Sequence, residues 1–344
     1  MKNVLSISRL LVRTVVSGVR TFPCEYSVAR AKPQLVATAC GFPKDLVHAP
    51  STVQEQSVYG DDACFIARHR IADVLGVADG VGGWRRYGID PSQFSRSLMQ
   101  TCARLVREGK FNPRAPAHLI AASYREMVEK SAKSATASRH SDGQDPIVGS
   151  STACIVVLER ESNQVHTANL GDSGFLVLRE GRVVHRSCEQ QHYFNTPFQL
   201  SLPPDHPQTT AVEAAVTPTA DTDETAHSTT FLSDSPESAD TTSFSVLEGD
   251  LILVATDGLF DNMPTHLIEN EIADLDHFDE ESLQQKCNSI AFQARRLAFD
   301  QNHMSPFAQK ANAELGIEAT GGKPDDIVVI LAVVTAAEAP SDSS

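Results

Sequence analysis

The stretch "LGVADGVGGW", Leu75 to Trp84, runs as an apolar strand, reaches a carboxylate at Asp79 and then breaks into three glycines within four residues. A continuous apolar run of this kind suits a strand covered on both faces. Its abrupt end on an acid places a charge where the core stops. The pattern recurs in "LILVATDGLFD", Leu251 to Asp261, where an apolar run ends on Asp257 and Gly258. It is inverted in "GGKPDDIVVIL", where Asp325 and Asp326 precede the last apolar run, and in "YGDDA", where Asp61 and Asp62 precede another. One Asp-Gly step is an ordinary turn. Several, each joined to a β-rich run, predict carboxylates converging at one edge of a core.

Clustered carboxylates need cations. Oxygen donors with no His or Cys beside them suit hard Mg²⁺ or Mn²⁺ rather than Zn²⁺. Gly80 fits this reading, because a residue without Cβ lets its carbonyl come close to an ion. None of the twelve histidines stands in a metal-ligand spacing such as H-x-x-x-H.

Around these motifs, short β-rich runs alternate with longer helical ones. "ACFIARHRIADVLGVAD" holds two strands, and Asp90-Pro91 opens a helix on which Phe94, Leu98, Cys102 and Leu105 recur at helical spacing. A second helix is expected near Ala115 to Lys133, then a polar loop over Ser131 to Asp145. Four closely spaced strands follow, "SSTACIVVLE", "QVHTANLGD", "GFLVLRE" and "RVVHRS", as antiparallel meanders. Pro203 to Ser243 is rich in Thr, Ser, Ala, Pro and acids, and reads as a disordered insertion, with strand-like sequence resuming at Val246. Helices near Glu281 to Asp300 and Ser305 to Leu315 precede the final strand. Strands and helices in blocks, without regular βαβ alternation, predict an α+β layered domain.

Composition narrows the function classes. The formal charge of −15 is uneven: between Arg186 and Lys286 there is no Lys or Arg, but twenty Asp and Glu. That argues against nucleic acid, which needs clustered cations. With 41% hydrophobic residues the chain reads as globular, and no apolar run approaches the ~20 residues of a membrane span. The seven cysteines are scattered without a C-x-x-C, as expected of reduced thiols. Neither G-x-x-x-x-G-K-[ST] nor G-x-G-x-x-G occurs, which removes the usual nucleotide-binding loops.

The first 24 residues carry Lys2, Arg9, Arg13 and Arg20 and no acid. On a helical wheel these cations fall within about 40°, opposite Val4, Ile7, Leu11, Val15 and Phe22. An Arg-rich, Ser-containing, acid-poor amphipathic segment predicts a mitochondrial transit peptide over residues 1–35.

Taken together, "YGDDA", "VADGVGGW", "GSSTACIVVL", "ANLGDSGFLVL", "LILVATDGLFDN" and "GKPDDIVVI" resemble the ordered motifs of the metal-dependent serine/threonine phosphatases of type 2C, the PPM family. They span Tyr59 to Val334. "QQHYFNTPFQL" and the N-terminus resemble in particular the family's mitochondrial PTC-seven-type branch, associated with coenzyme Q biosynthesis. The resemblance implies a four-layer αββα sandwich, two antiparallel sheets flanked by helices, over residues 40–337, with residues 338–344 as a disordered tail. It implies two Mn²⁺ or Mg²⁺ ions per site. Asp79 would bridge both, the Gly80 carbonyl would bind one, and Asp257 and Asp325 would ligate the second. Asp62, and Asp61 where the family often has Glu, would hold surrounding waters. A water activated between two such ions hydrolyses a phosphate ester without a phosphoenzyme. The expected protein is a monomer of the mitochondrial matrix acting on phosphorylated mitochondrial proteins, with Asp79 and Asp257 as its catalytic acids.

Two departures stand out. Many family members have a His after the Asp-Gly step, where this chain has Val81; many have a phosphate-binding Arg where it has Ser57. Arg68, Arg70, Arg85 and Arg86 are the candidates to meet phosphate instead. "GSSTA" and Asp172 in "NLGDSG" read as packing and turn residues. A pseudophosphatase that only binds partners is the alternative, disfavoured because Asp79, Gly80, Asp257 and Asp325 are all present.

Overall fold

A computed structural model describes residues 32–45, 59–137, 146–204, 231–273, 275 and 277–336. Residues 1–31, Ser57, residues 205–230 and the 338–344 tail lie outside the described residues, and with them most of the expected leader and insertion.

The strands are β1 (Pro33–Phe42), β2 (Ala63–His69), β3 (Ala72–Ala78), β4 (Gly149–Ser151), β5 (Ala153–Glu159), β6 (Gln164–Leu170), β7 (Gly174–Arg179), β8 (Arg182–Arg186), β9 (Gln191–Tyr193), β10 (Thr196–Pro197), β11 (Leu200–Leu202), β12 (Asp240–Ser245), β13 (Leu251–Ala255) and β14 (Ile327–Ala336). The helices are α1 (Ser92–Arg107), α2 (Pro116–Ala137), α3 (Asp257–Phe260), α4 (Thr265–Ile272), α5 (Glu280–Ala298) and α6 (Pro306–Leu315). One five-stranded sheet has the order β12-β6-β5-β3-β2, the other β1-β14-β13-β7-β8, and every pairing within them is antiparallel. Two small sheets, β10-β9 and β11-β4, accompany them.

The alternation of side chains explains the layering. Along β3, Ala72, Val74 and Ala78 face α1 and α2, while Leu75 and Val77 face the opposite sheet. Along β13, Leu251, Leu253 and Ala255 face the helices α4 and α5, while Ile252 and Val254 face inward. Strand β14 does the same with Val329 and Leu331 on one side and Val328 and Ile330 on the other. Strands apolar on both faces are therefore the central ones, as the continuous runs predict, and the result is the four-layer αββα sandwich. Each fully buried Leu or Val contributes about 1.5–3 kcal/mol.

The two ends of this sandwich are built differently. At one end Asp73 accepts two bonds from Arg160 and one from the Leu35 amide, tying β3 to β1 of the other sheet. Arg179 likewise holds Asp250 through two bonds of 2.8 and 2.7 Å. These acids are matched by guanidinium forks. The opposite end collects the C-termini of β3 and β13 and the N-termini of β2, β7 and β14, because each neighbour runs antiparallel.

Three boundaries differ from the sequence reading. Strand β1 begins at Pro33, so the fold starts within the stretch assigned to the leader and ahead of residue 40. Helix α2 continues to Ala137, beyond the expected Lys133. The insertion read as 203–243 gives way to ordered chain from 231, with β12 at 240–245 rather than strand resuming at Val246. Strand β12 escapes hydrophobic reading because it is an edge strand pairing through hydroxyls: Thr167 with Thr242, and His166 with Ser243, each at 2.7 Å. No helix among the described residues is long and apolar enough to cross a membrane. The six described cysteines are free thiols, and burial pushes those of Cys102 and Cys287 up to about 12.

Candidate active site

The loop after β3 is held by its neighbours. The Asp79 amide donates to Thr152 Oγ1 at 3.0 Å, the Thr152 amide returns a bond to the Asp79 carbonyl at 3.0 Å, and the Val81 amide donates to the Ser150 carbonyl. Thr152 Oγ1 also pairs with Ser173 Oγ at 2.7 Å. The small residues of "GSSTA" therefore do more than pack: Thr152 fixes the backbone that carries Asp79. A Cβ at Gly80 would stand 2.5 Å from the Asp61 carbonyl oxygen and 2.8 Å from that of Pro91, so only glycine fits there. Trp84 closes the segment, its Nε1 donating to Ser150 Oγ at 2.6 Å while its ring stacks on Phe231.

At the end of β13, Asp257 opens α3. Thr256 exchanges bonds with Val328 on β14, its amide donating to the carbonyl and its hydroxyl accepting from the amide. Asn262 then acts as a clamp. Its Nδ2 donates to the Gly258 and Lys323 carbonyls and its Oδ1 accepts from the Lys323 amide at 2.7 Å, binding the loop that carries Asp325 to α3.

These supports bring Asp79, Asp172 and Asp257 together, with one carboxylate oxygen from each lying within 4.8 Å of the others. Asp62 and Asp325 face the same cluster and add their charge to that of Asp79. All five sequence-selected positions, Asp62, Asp79, Gly80, Asp257 and Asp325, thus lie at one end of the sandwich. Asp61 stands at the rim in an ion pair with Arg85. Asp326, beside Asp62, accepts from the Asp61 and Lys44 amides, a structural role.

Asp172 corrects the reading of "NLGDSG" as a turn alone. It is buried, its Oδ1 finds no hydrogen-bond partner among the described residues, and it points into the cluster. Lys323, Asp261, Thr152 and Asn262 were also passed over. A signal for Asp172 exists in the sequence: like the Asp61-Asp62 pair, it follows glycine just ahead of an apolar run, and the fold pairs that run's Gly174 with Ala255, next to the Asp257 turn.

The electrostatics are those of an anion cluster short of cations. Burial, then the charges of Asp257, Asp62, Asp325 and Asp172, raise Asp79 well above the ordinary carboxylate range. Burial and Asp326 do the same to Asp62, and burial and Asp257 to Asp172. Asp325 and Asp261 are pushed up to about 6 by burial, with Lys323 pulling each back. Like charges crowded in low dielectric call for a compensating ion. The all-oxygen donor set, the orphaned Asp172 oxygen and the tight passage at Gly80 fit hard divalent cations.

Among the candidate arginines, Arg85 alone meets the site, through Asp61, and its side chain is 61% exposed. Arg68 donates to the Leu35 carbonyl, and Arg70 lies at the turn between β2 and β3, the end away from the acids. Arg86 follows Arg85 in the short 3-10 segment Gly82–Tyr87 and is exposed.

A two-sheet sandwich with an all-oxygen carboxylate cluster at one end has the makings of a metal-requiring site. The family model described as "Protein phosphatase 2C" matches residues 52–291, and the chain belongs to that family of protein phosphatases. Within it, the chain is 52% identical over 335 residues to the "Protein phosphatase PTC7 homolog" of Homo sapiens, covering 97% of this chain and 98% of that one. The PTC7 homolog of Xenopus laevis matches with the same identity and coverage. The crystal structure of the photosystem II phosphatase PBCP shares the fold, with a TM-score of 0.65 at 24% identity over 88% of this chain and all of the other.

Proposed function

We propose that the protein hydrolyses phosphoserine and phosphothreonine in mitochondrial proteins at a two-ion Mn²⁺ or Mg²⁺ centre, and that its substrates include proteins of coenzyme Q biosynthesis. The observation that carries the chemistry is the convergence of Asp79, Asp172 and Asp257, flanked by Asp62 and Asp325. Asp79, the Gly80 carbonyl, Asp257 and Asp325 would hold the ions, and Asp62 the waters around them. Bound divalent cations supply Lewis acidity and a water of lowered pKa.

The chain's own residues do the rest. Thr152 and Asn262 keep the two acid-bearing loops in register, so the carboxylates are fixed before substrate arrives. Asp79 is the least buried of the three clustered acids. Arg85, paired with Asp61 and largely exposed, offers a guanidinium at the rim suited to a phosphoryl oxygen. Val81 offers no proton, so the leaving alkoxide is protonated from elsewhere than the residue after Asp79-Gly80. The mitochondrial part of the reading rests on the basic amphipathic character of the N-terminal sequence.

Phosphoserine and phosphothreonine peptides should be hydrolysed in Mn²⁺ and not after metal removal with EDTA. Hydrolysis that persists without metal, or none in any divalent cation, would overturn the enzymatic reading and favour a binding scaffold. Residues 1–35 fused to a fluorescent reporter should direct it into mitochondria, and Arg9, Arg13 and Arg20 changed together to Glu should abolish import. A reporter that stays in the cytosol would remove the localisation.

A further inference from the structure

Lys323 stands inside the acidic cluster. Its Nζ donates to Asp257, to Asp261 at 2.8 Å, and lies 3.3 Å from Asp325. The ring of Phe307 sits 5.3 Å from the ammonium. Its side chain is only 17% exposed, and its backbone is gripped on both sides by Asn262, so this placement is built into the loop. Burial alone would lower its pKa, but Asp257, Asp261 and Asp325 outweigh that and hold it charged.

Two of these three carboxylates, Asp257 and Asp325, are ones the proposed metal centre needs. An oxygen that accepts from an ammonium at this distance does not offer the same lone pair to an ion. The third, Asp261, is not among the proposed ligands, and it gives Lys323 an anchor that metal does not contest.

We propose that Lys323 is a tethered cation that holds the place of a divalent ion between Asp257 and Asp325, competes with metal for them, and withdraws onto Asp261 when metal loads. The residue thereby sets how much metal the protein needs, and keeps the acids neutralised until metal arrives. The inference rests on the proposed reading only for the claim that metal binds these acids.

The test is Mn²⁺ titration of the metal-stripped full chain by calorimetry, comparing the parent with K323Q and K323R. Removing a unit positive charge within contact distance of the ligands should tighten Mn²⁺ binding by about tenfold or more. K323R keeps the charge and should bind Mn²⁺ more weakly than K323Q does. Metal-free K323Q should melt below the parent, and Mn²⁺ should close the gap. Equal Mn²⁺ affinity in parent and K323Q would overturn the proposal while leaving the metal centre standing. No Mn²⁺ binding by the parent or by K323Q would overturn the centre itself. If K323Q does not fold, K323M, which keeps the aliphatic stem against Phe307 and removes only the charge, takes its place, and it too should bind Mn²⁺ about tenfold or more tightly than the parent. Affinity equal to the parent's in that variant would overturn the proposal.

Discussion

Asp79→Asn should lower phosphopeptide turnover by on the order of 10³-fold while leaving the fold intact. The substitution is isosteric, and the bonds that place residue 79 run through its backbone to Thr152, so the loop keeps its position. What disappears is one negative charge at the centre of a group that includes Asp257, Asp62, Asp325 and Asp172. Removing a buried like charge relieves repulsion, so the metal-free variant should melt at or above the parent. The two readouts therefore move apart: kcat/KM for a phosphopeptide falls, and thermal stability does not. Activity within tenfold of the parent at saturating Mn²⁺ would show that Asp79 is not a ligand on which the chemistry depends.

The second large effect falls on a residue with no side chain. A Cβ at Gly258 would stand 1.9 Å from the Asp326 carbonyl oxygen and 3.0 Å from Ile327 Cγ1. That carbonyl belongs to the backbone leading into β14, which pairs on both sides within its sheet and cannot shift alone. Gly258→Ala should therefore cost about 3 kcal/mol, the upper end for overpacking, read as a lower denaturation midpoint. Because the strained contact lies one residue from Asp325, metal affinity should fall as well. A variant within about 1 kcal/mol of the parent would mean that the close approach is relaxed by some movement of α3. The Asp-Gly step is thus a packing device as well as a turn.

The parts of the fold that were legible in the sequence are those where hydrophobic pattern and turn chemistry agree. Strands β3, β13 and β14 are apolar on both faces, so their continuous runs could only be central strands, and their acids could only lie at a core edge. Strand β1 was hidden for the opposite reason. It lies at a sheet edge with most of its residues only half-buried, its middle is Ala37, Thr38, Ala39 and Cys40, and its partner β14 lies nearly the whole chain away. Strand β12 was hidden because its contacts are hydroxyl bonds, which the composition of a disordered loop also contains. In the site, Asp79, Asp257 and Asp325 announce themselves by following or preceding apolar runs. Asp172 does too, but between two strands of a meander an acid beside glycine is also what a plain turn requires. Lys323 was invisible for a different reason: a lone lysine before Pro324 carries no pattern, and only the clamp by Asn262 reveals where it points.

The guanidinium forks at one end of the sandwich, Arg160 on Asp73 and Arg179 on Asp250, have a consequence for biogenesis. A zinc finger cannot acquire its shape until the ion arrives, because the ion supplies most of the folding energy. Here the apolar layers and the arginine-closed end need nothing from outside the chain, and the acids that would repel one another are gathered at the other end. Assembly and activation are thereby separate events. A chain built this way can complete its apolar layers first and take up divalent ions afterwards, whichever of them its surroundings provide.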